Sequence, residues 1–109
     1  MRKNIQEILG MIDHAALQPK MSQEEIRKEI ELAMQYNVAS VCVHPSAISM
    51  AAKLLKDHEV KVGTVVGFPQ GMTFPEVKRA ETVRAVAEGA SEIDMVLHIG
   101  RALSGEWNY

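Results

Sequence analysis

Asp94 stands in the middle of Ser91-Glu92-Ile93-Asp94-Met95-Val96-Leu97-His98-Ile99-Gly100, a run whose alternation reads as a β-strand. Alternation predicts Glu92, Asp94, Val96 and His98 on one face and Ile93, Met95, Leu97 and Ile99 on the other. The second face is wholly apolar and should pack on helices, so Asp94 is expected to point into an interior. An unpaired carboxylate there would lose several kcal/mol of solvation or be driven to its neutral form. Pairing with a buried cation, or with backbone donors, would make Asp94 architectural. Acid/base work is the alternative, favoured because charges inside parallel sheets gather at functional sites.

Asp13 carries a weaker form of the same argument, since its run is short and a capping or loop role competes. Cys42, between Val41 and Val43, reads as a packed small residue more readily than as a nucleophile. Asp13, His14, Cys42, His44, Asp94 and His98 together suggest a metal site. No His-x-His, Cys-x-x-Cys or His-Glu-x-x-His spacing supports it, so no metal is expected. Gly67 and Gly71 either let backbone amides approach an anion or simply permit a turn around Pro69. His58 reads as a solvated loop residue. Lys3, Lys20, Lys28, Lys53, Lys56 and Lys78 fall in helices or loops, and Lys61 opens its strand at the far end; none is placed like a desolvated amine nucleophile.

Short strand-like runs at Ile12 to Leu17, Ala39 to Val43, Val60 to Val66 and Glu92 to Leu97 must position these residues. Between them lie helical patterns. Ser22-Gln23-Glu24-Glu25 forms a capping box for a helix from Gln23 to Tyr36, with Ile26, Ile30, Ala33 and Met34 on its apolar face. Ile48, Ala51, Ala52 and Leu55 mark a second helix beginning near Pro45-Ser46. Thr73-Phe74-Pro75-Glu76 repeats the capping logic for a third, with Val77, Ala80, Val83, Val86 and Ala87 as its buried face and Gly89 as its stop. A short helix precedes the first strand, over residues 2–10.

Strict β-α alternation implies a parallel sheet with right-handed crossovers. Asp13-His14-Ala15-Ala16-Leu17-Gln18-Pro19 lacks the glycine-rich turn of a doubly wound nucleotide-binding sheet. Chemistry-bearing residues instead recur towards the ends of several strands, as in a (βα) barrel. The fold class read here is α/β, of the TIM-barrel type, a single domain over residues 1–109. A closed eight-stranded barrel takes about 200 to 250 residues, so four βα units of an incomplete (βα)8 barrel are expected. Ser104-Gly105-Glu106-Trp107-Asn108-Tyr109 reads as the start of a fourth helix without a C-cap.

Composition sets the class of partner. The 109 residues are 47% hydrophobic and carry a formal charge of -2 with acids and bases interspersed, which speaks against disorder, nucleic acid and anionic membrane. One cysteine excludes an internal disulfide, and neither a leader nor an apolar run of membrane-spanning length is read, so a cytoplasmic setting is expected. The first and fourth strands would be open edges, favouring a homo-oligomer or self-association.

Ile12-Asp13-His14, Ala39-Ser40-Val41-Cys42-Val43, Gly67-Phe68-Pro69-Gln70-Gly71 and Glu92-Ile93-Asp94-Met95-Val96, in this order and spacing, resemble the deoxyribose-phosphate aldolase family. The resemblance covers nearly the whole chain. It implies a cytoplasmic class I aldolase that cleaves 2-deoxy-D-ribose 5-phosphate to glyceraldehyde 3-phosphate and acetaldehyde through a lysine Schiff base, without a metal or other cofactor. The small phosphorylated sugar would be the partner. Asp94 matches the family's proton-transferring aspartate, while Asp13 and Cys42 match residues at or near the substrate. Two departures accompany it. Ala15-Ala16-Leu17-Gln18-Pro19 stands where the family usually has Thr-Leu-Leu-Lys-Pro, losing a hydroxyl and a cation. Both family lysines and the phosphate-holding turns belong to the barrel's second half, which implies that these residues alone are inactive, or else form a non-catalytic half-barrel that pairs with a partner.

Overall fold

Four short runs pair into one parallel sheet in chain order: β1 (Asp13–Ala16), β2 (Ser40–Val43), β3 (Lys61–Val66) and β4 (Glu92–Met95). The computed structural model describes residues 4–109; the part of the expected 2–10 helix that falls on residues 2 and 3 lies outside them. Around the strands run α1 (Ile5–Leu9), α2 (Gln23–Tyr36), α3 (Ile48–Leu54, entered through a 3-10 turn at Pro45–Ala47), α4 (Pro75–Glu88) and α5 (Ile99–Leu103). This is a partial βα barrel.

Register decides which side chains share a face. Asp13 pairs with Ser40, Ala15 with Cys42, Cys42 with Gly63, and Val65 with Asp94, so these residues line the inner face. The alternate positions Ala16, Val41, Val43, Val62, Thr64 and Val66 are buried under the helices. Thr64 reconciles its hydroxyl with that position by donating to the Val43 carbonyl at 2.7 Å. Against them pack Ile26, Ile30 and Ala33 of α2, Ile48 and Ala51 of α3, and Ala85 of α4. The hydrophobic core therefore lies between sheet and helices, and the inner face of the sheet is left open.

The capping box at Ser22 and Glu25 holds α2 as expected, and Asn37 ends it in the left-handed region at φ 49°. α4 departs from expectation at both its start and its face. Phe74, not Thr73, is its N-cap, with no side-chain capping bond, and Pro75 supplies the first-turn geometry. The expected buried face is largely exposed, with Val77 at 48%, Val83 at 59% and Val86 at 56%; the buried residues are Lys78 and Ala85. Nothing among the described residues packs over the outer flank of α4, so an apolar stripe there faces solvent.

The fourth strand is shorter than the alternation suggested. It stops at Met95, and Ile99, expected on its outer face, opens α5. The helix read at residues 104–109 is not formed; Ile99–Leu103 is the helical segment, and turns follow it. No described helix is long and apolar enough to cross a membrane.

Gly71 holds the β3–α4 connection against the end of β4. Its φ is +67°, and a Cβ there would collide with the Leu97 carbonyl oxygen and lie 2.8 Å from that of Val96. Gly105 has a similar φ of +72°, but a methyl group there would meet nothing within 4 Å. Gly71→Ala is therefore expected to lower the unfolding free energy by about 2–4 kcal/mol, against about 1 kcal/mol for Gly105→Ala. Urea denaturation followed by circular dichroism checks the pair; equal losses would mean that backbone conformation alone, without the collision, sets the requirement at Gly71.

Candidate active site

Three polar side chains from three strands meet on the open inner face. Asp13 lies on β1, Cys42 on β2 and Asp94 on β4, and their oxygen and sulfur atoms all lie within 4.8 Å of one another. In a flat sheet, β1 and β4 would stand about 14 Å apart, three interstrand spacings. The sheet's curl brings the two carboxylates together.

Ser40 anchors one side of the cluster by donating its hydroxyl to Asp13 Oδ1 at 2.7 Å. On the other side, Cys42 Sγ donates to Asp94 Oδ2 at 3.8 Å, reaching across the intervening β3. Gly63 makes that reach possible, because it is the β3 residue in register with Cys42 and has no side chain to stand between thiol and carboxylate. Sequence reasoning missed it. A lone glycine inside an apolar strand was the available signal, marking a place where neighbouring groups need room.

Cys42 is buried, and burial pushes its thiol pKa up to about 12, with the Asp13 and Asp94 carboxylates adding to the effect. Its thiol stays protonated through the physiological range, which fits a packed proton donor to Asp94 and not an activated nucleophile. A thiol so disposed is also a poor partner for a cation, since metal binding must displace its proton. Of the six residues considered for a metal, only Asp13, Cys42 and Asp94 converge among the described residues.

The histidines are placed elsewhere. His14 points to the helix side of β1, where Nε2 lies 2.6 Å from Glu29 Oε2 of α2. His44 Nε2 lies 2.6 Å from the Leu17 carbonyl oxygen, and its ring meets the edge of Phe68. His98, expected on the same face as Asp94, is instead the N-cap of α5; its Nδ1 accepts from the Arg101 amide at 3.2 Å and its ring contacts Tyr109. The chain turns after Met95, and the period of two ends with the strand. His58 is not simply solvated, since its Nδ1 accepts from the Val60 amide at 3.2 Å.

Gly67 and Gly71 resolve towards the turn. The Gly67 amide donates to Glu81 Oε1 at 2.9 Å and the Gly71 amide to the Gly67 carbonyl at 2.7 Å, so both donors are engaged within the chain. Asp94 differs from its expected setting in being exposed, so solvent stabilises its charge without a buried cation. Lys61 opens β3 in register with Ser40, contrary to the expectation of a remote end, and its Nζ lies 3.5 Å from Glu92 Oε1. Lys78 lies in α4, among the helices as expected, but its burial was not foreseen. Its stem would touch a Cβ on Gly67, and Nζ donates to the Val96 carbonyl at 2.8 Å. This is on the helix side, away from the carboxylates. Ala15 and Gln18 line one groove with Lys20 and Glu29.

The family model for DeoC/LacD aldolases matches residues 8–109. A deoxyribose-phosphate aldolase of Clostridium perfringens is 48% identical over 104 residues, covering 95% of this chain and 46% of that protein. One from Caldanaerobacter subterraneus subsp. tengcongensis is 49% identical over 107 residues, covering 98% and 46%. The solved structure of QR15, an aldolase, superposes with a TM-score of 0.88 at 33% identity, covering 94% of this chain and 45% of the other. The tetrameric deoxyribose phosphate aldolase of Aeropyrum pernix superposes with a TM-score of 0.82 at 27% identity, covering 94% and 47%. The chain thus spans about half the length of the relatives it matches.

The thiol reports directly on this cluster. Alkylation of Cys42 by iodoacetamide is expected to be slow at pH 8 and to accelerate continuously to pH 10, because little thiolate exists below a pKa of about 12. Asp94→Asn removes a negative neighbour and a charged acceptor, lowering the thiol pKa and raising the rate several-fold. Mass spectrometry of the time course checks both; an unchanged rate in the variant would separate the thiol electrostatically from Asp94.

Proposed function

We propose a function from one premise: this chain belongs to the DeoC/LacD family of aldolases. Within that family, the reading that fits best is reversible cleavage of 2-deoxy-D-ribose 5-phosphate to D-glyceraldehyde 3-phosphate and acetaldehyde, performed by the complete barrel. The observation that carries it is the meeting of Asp13, Cys42 and Asp94 within 4.8 Å on the concave side of the sheet.

A class I aldolase condenses a lysine amine with an aldehyde carbon, loses water to give an iminium, and later protonates an enamine. Both later steps need a proton carrier in hydrogen-bond reach of the reacting carbon. Asp94 is proposed for that role. It has solvent-stabilised charge, a position on the inner face, and a thiol neighbour that donates to its carboxylate without competing as a base. Asp13, steadied by Ser40, and Cys42 are proposed to contact the substrate. The required amine is proposed to come from outside these 109 residues, since Lys61 is ion-paired with Glu92 at the start of β3 and Lys78 lies on the helix side. On this reading the chain alone forms no Schiff base, and no metal or organic cofactor takes part. A cytoplasmic setting belongs to the proposal, supported by the single free thiol.

A second reading rests on the open inner face and the exposed flank of α4: a non-catalytic half-barrel that associates through its edges.

Two measurements test the catalytic reading. Incubating the 109-residue chain with acetaldehyde and borohydride is expected to give only slow, scattered reductive ethylation of exposed lysines, with none singled out; rapid stoichiometric labelling of one lysine would overturn the assignment of the amine elsewhere. Replacing the matching segment of the Clostridium perfringens aldolase with this chain is expected to preserve deoxyribose 5-phosphate cleavage. In that chimera Asp94→Asn should lower kcat by about 100-fold or more with KM little changed. A folded chimera whose kcat is indifferent to Asp94→Asn would remove Asp94 from the chemistry.

A further inference from the structure

We propose that Lys78 and Glu81 of α4 are positioning residues for Asp94: together they clamp the ends of β3 and β4 at one height and so set where the carboxylate stands. This deepens the aldolase reading and rests on it only for its consequence in catalysis.

The starting observation is a buried ammonium that the proposed chemistry leaves unused. The buried residues of α4 are Lys78 and Ala85, and Lys78 is only 8% exposed. A lysine on a packed face gives up hydration of its charge and the freedom of a long side chain, so it needs a strong compensating bond. It finds one at the Val96 carbonyl, 2.8 Å from Nζ. Its stem gets there by lying along Gly67, where a Cβ would stand 3.0 Å from the lysine Cε. One side chain therefore spans the ends of both strands.

Glu81 lies at the i, i+3 position from Lys78, on the same side of the helix. Its Oε1 accepts from the Gly67 amide at 2.9 Å. The two bonds meet their strands at matching positions, because Val65 and Asp94 are register partners, and Gly67 and Val96 each stand two residues beyond them. The strand exits are also tied to each other, the Val96 amide donating to the Val66 carbonyl at 2.9 Å. Gly71 completes the arrangement from the loop, since a Cβ there would lie 2.8 Å from the Val96 carbonyl oxygen. The clamp thus holds a peptide about 7 Å along the chain from Asp94.

What the clamp positions is the reach to Cys42. Sγ donates to Asp94 Oδ2 at 3.8 Å, a long contact across β3 that a slight displacement of β4 would break. The carboxylates that act on the thiol are Asp94, Asp13 and Glu92, whereas Lys78 sits on the helix side and reaches the thiol only through β4. Cys42 therefore reports on the clamp without touching it.

Lys78→Met keeps most of the stem and removes the ammonium. In the 109-residue chain at pH 9 it is expected to speed iodoacetamide alkylation of Cys42 by about three-fold or more, with the circular dichroism spectrum unchanged. Loss of the positive charge by itself would act the other way, by raising the thiol pKa. In an Asp94→Asn background the same substitution is expected to add nothing, whereas general loosening would speed both backgrounds equally. In the chimera with the Clostridium perfringens aldolase, Lys78→Met should lower kcat by about 10-fold with KM little changed. Glu81→Ala removes the other arm and should give the same pattern more weakly; it decides the matter if Lys78→Met does not fold. An alkylation rate unmoved by these variants, or moved equally with and without the Asp94 charge, would overturn the clamp. So would a kcat that depends on Asp94 but not on Lys78. If the thiol responds as expected and Asp94→Asn leaves kcat unchanged, the aldolase reading fails and the clamp stands.

Discussion

The curl of a four-stranded parallel sheet is the constraint from which the rest of this molecule follows. Asp13 and Asp94 lie on strands separated by two others, yet both reach the same thiol. Curl is set on the outer side, where Val41, Val43, Val62, Thr64 and Val66 pack against α2, α3 and α4 in a continuous buried layer. Gly71 pins the β3–α4 loop against the carbonyls that follow β4, holding the last strand to the turn before α4. Packing energy gathered on one face of the sheet thereby positions charge on the other.

Periodicity made most of this architecture legible in advance. The runs at β1 to β4 showed themselves because they alternate, or are too short and too rich in Val and Ile to be helices, and α2 announced its start through Ser22 and Glu25. Asp94 could be singled out because the other face of its strand was apolar, whereas Asp13 and Cys42 stood out chiefly through the family resemblance. Their mutual distance could not be read, since it depends on curvature, and curvature is a property of the packed layers. The expected burial of Asp94 failed for the same reason: alternation tells which side a residue faces, but not whether that side is covered.

α4 shows where the pattern misled. Val77, Val83 and Val86 are apolar and recur along the helix, which ordinarily identifies the packed face. Here Val83 borders the groove beside β4, Val77 one towards α3, and Val86 the solvent, while Lys78 lies on the packed side. Lysine can do this because its stem is four methylenes long: the chain packs over Gly67 and the ammonium emerges at the Val96 carbonyl. Glycine at 67 leaves room for that stem. His98 failed for a simpler reason, because the residue expected to continue a strand became the cap of a helix.

An open inner face gives the same three residues two different energetic settings. In the open sheet, solvent reaches Asp13 and Asp94, and the thiol between them is the group that yields, holding its proton to a pKa of about 12. Closing the barrel would remove that solvent and strengthen every charge interaction within. Two carboxylates near one protonated thiol would then require a cation or a proton. A lysine amine is one group that could supply the positive charge, and in the proposed aldolase it is also the reactive group. The electrostatic deficit of the enclosed cluster and the chemistry assigned to it therefore call for the same partner.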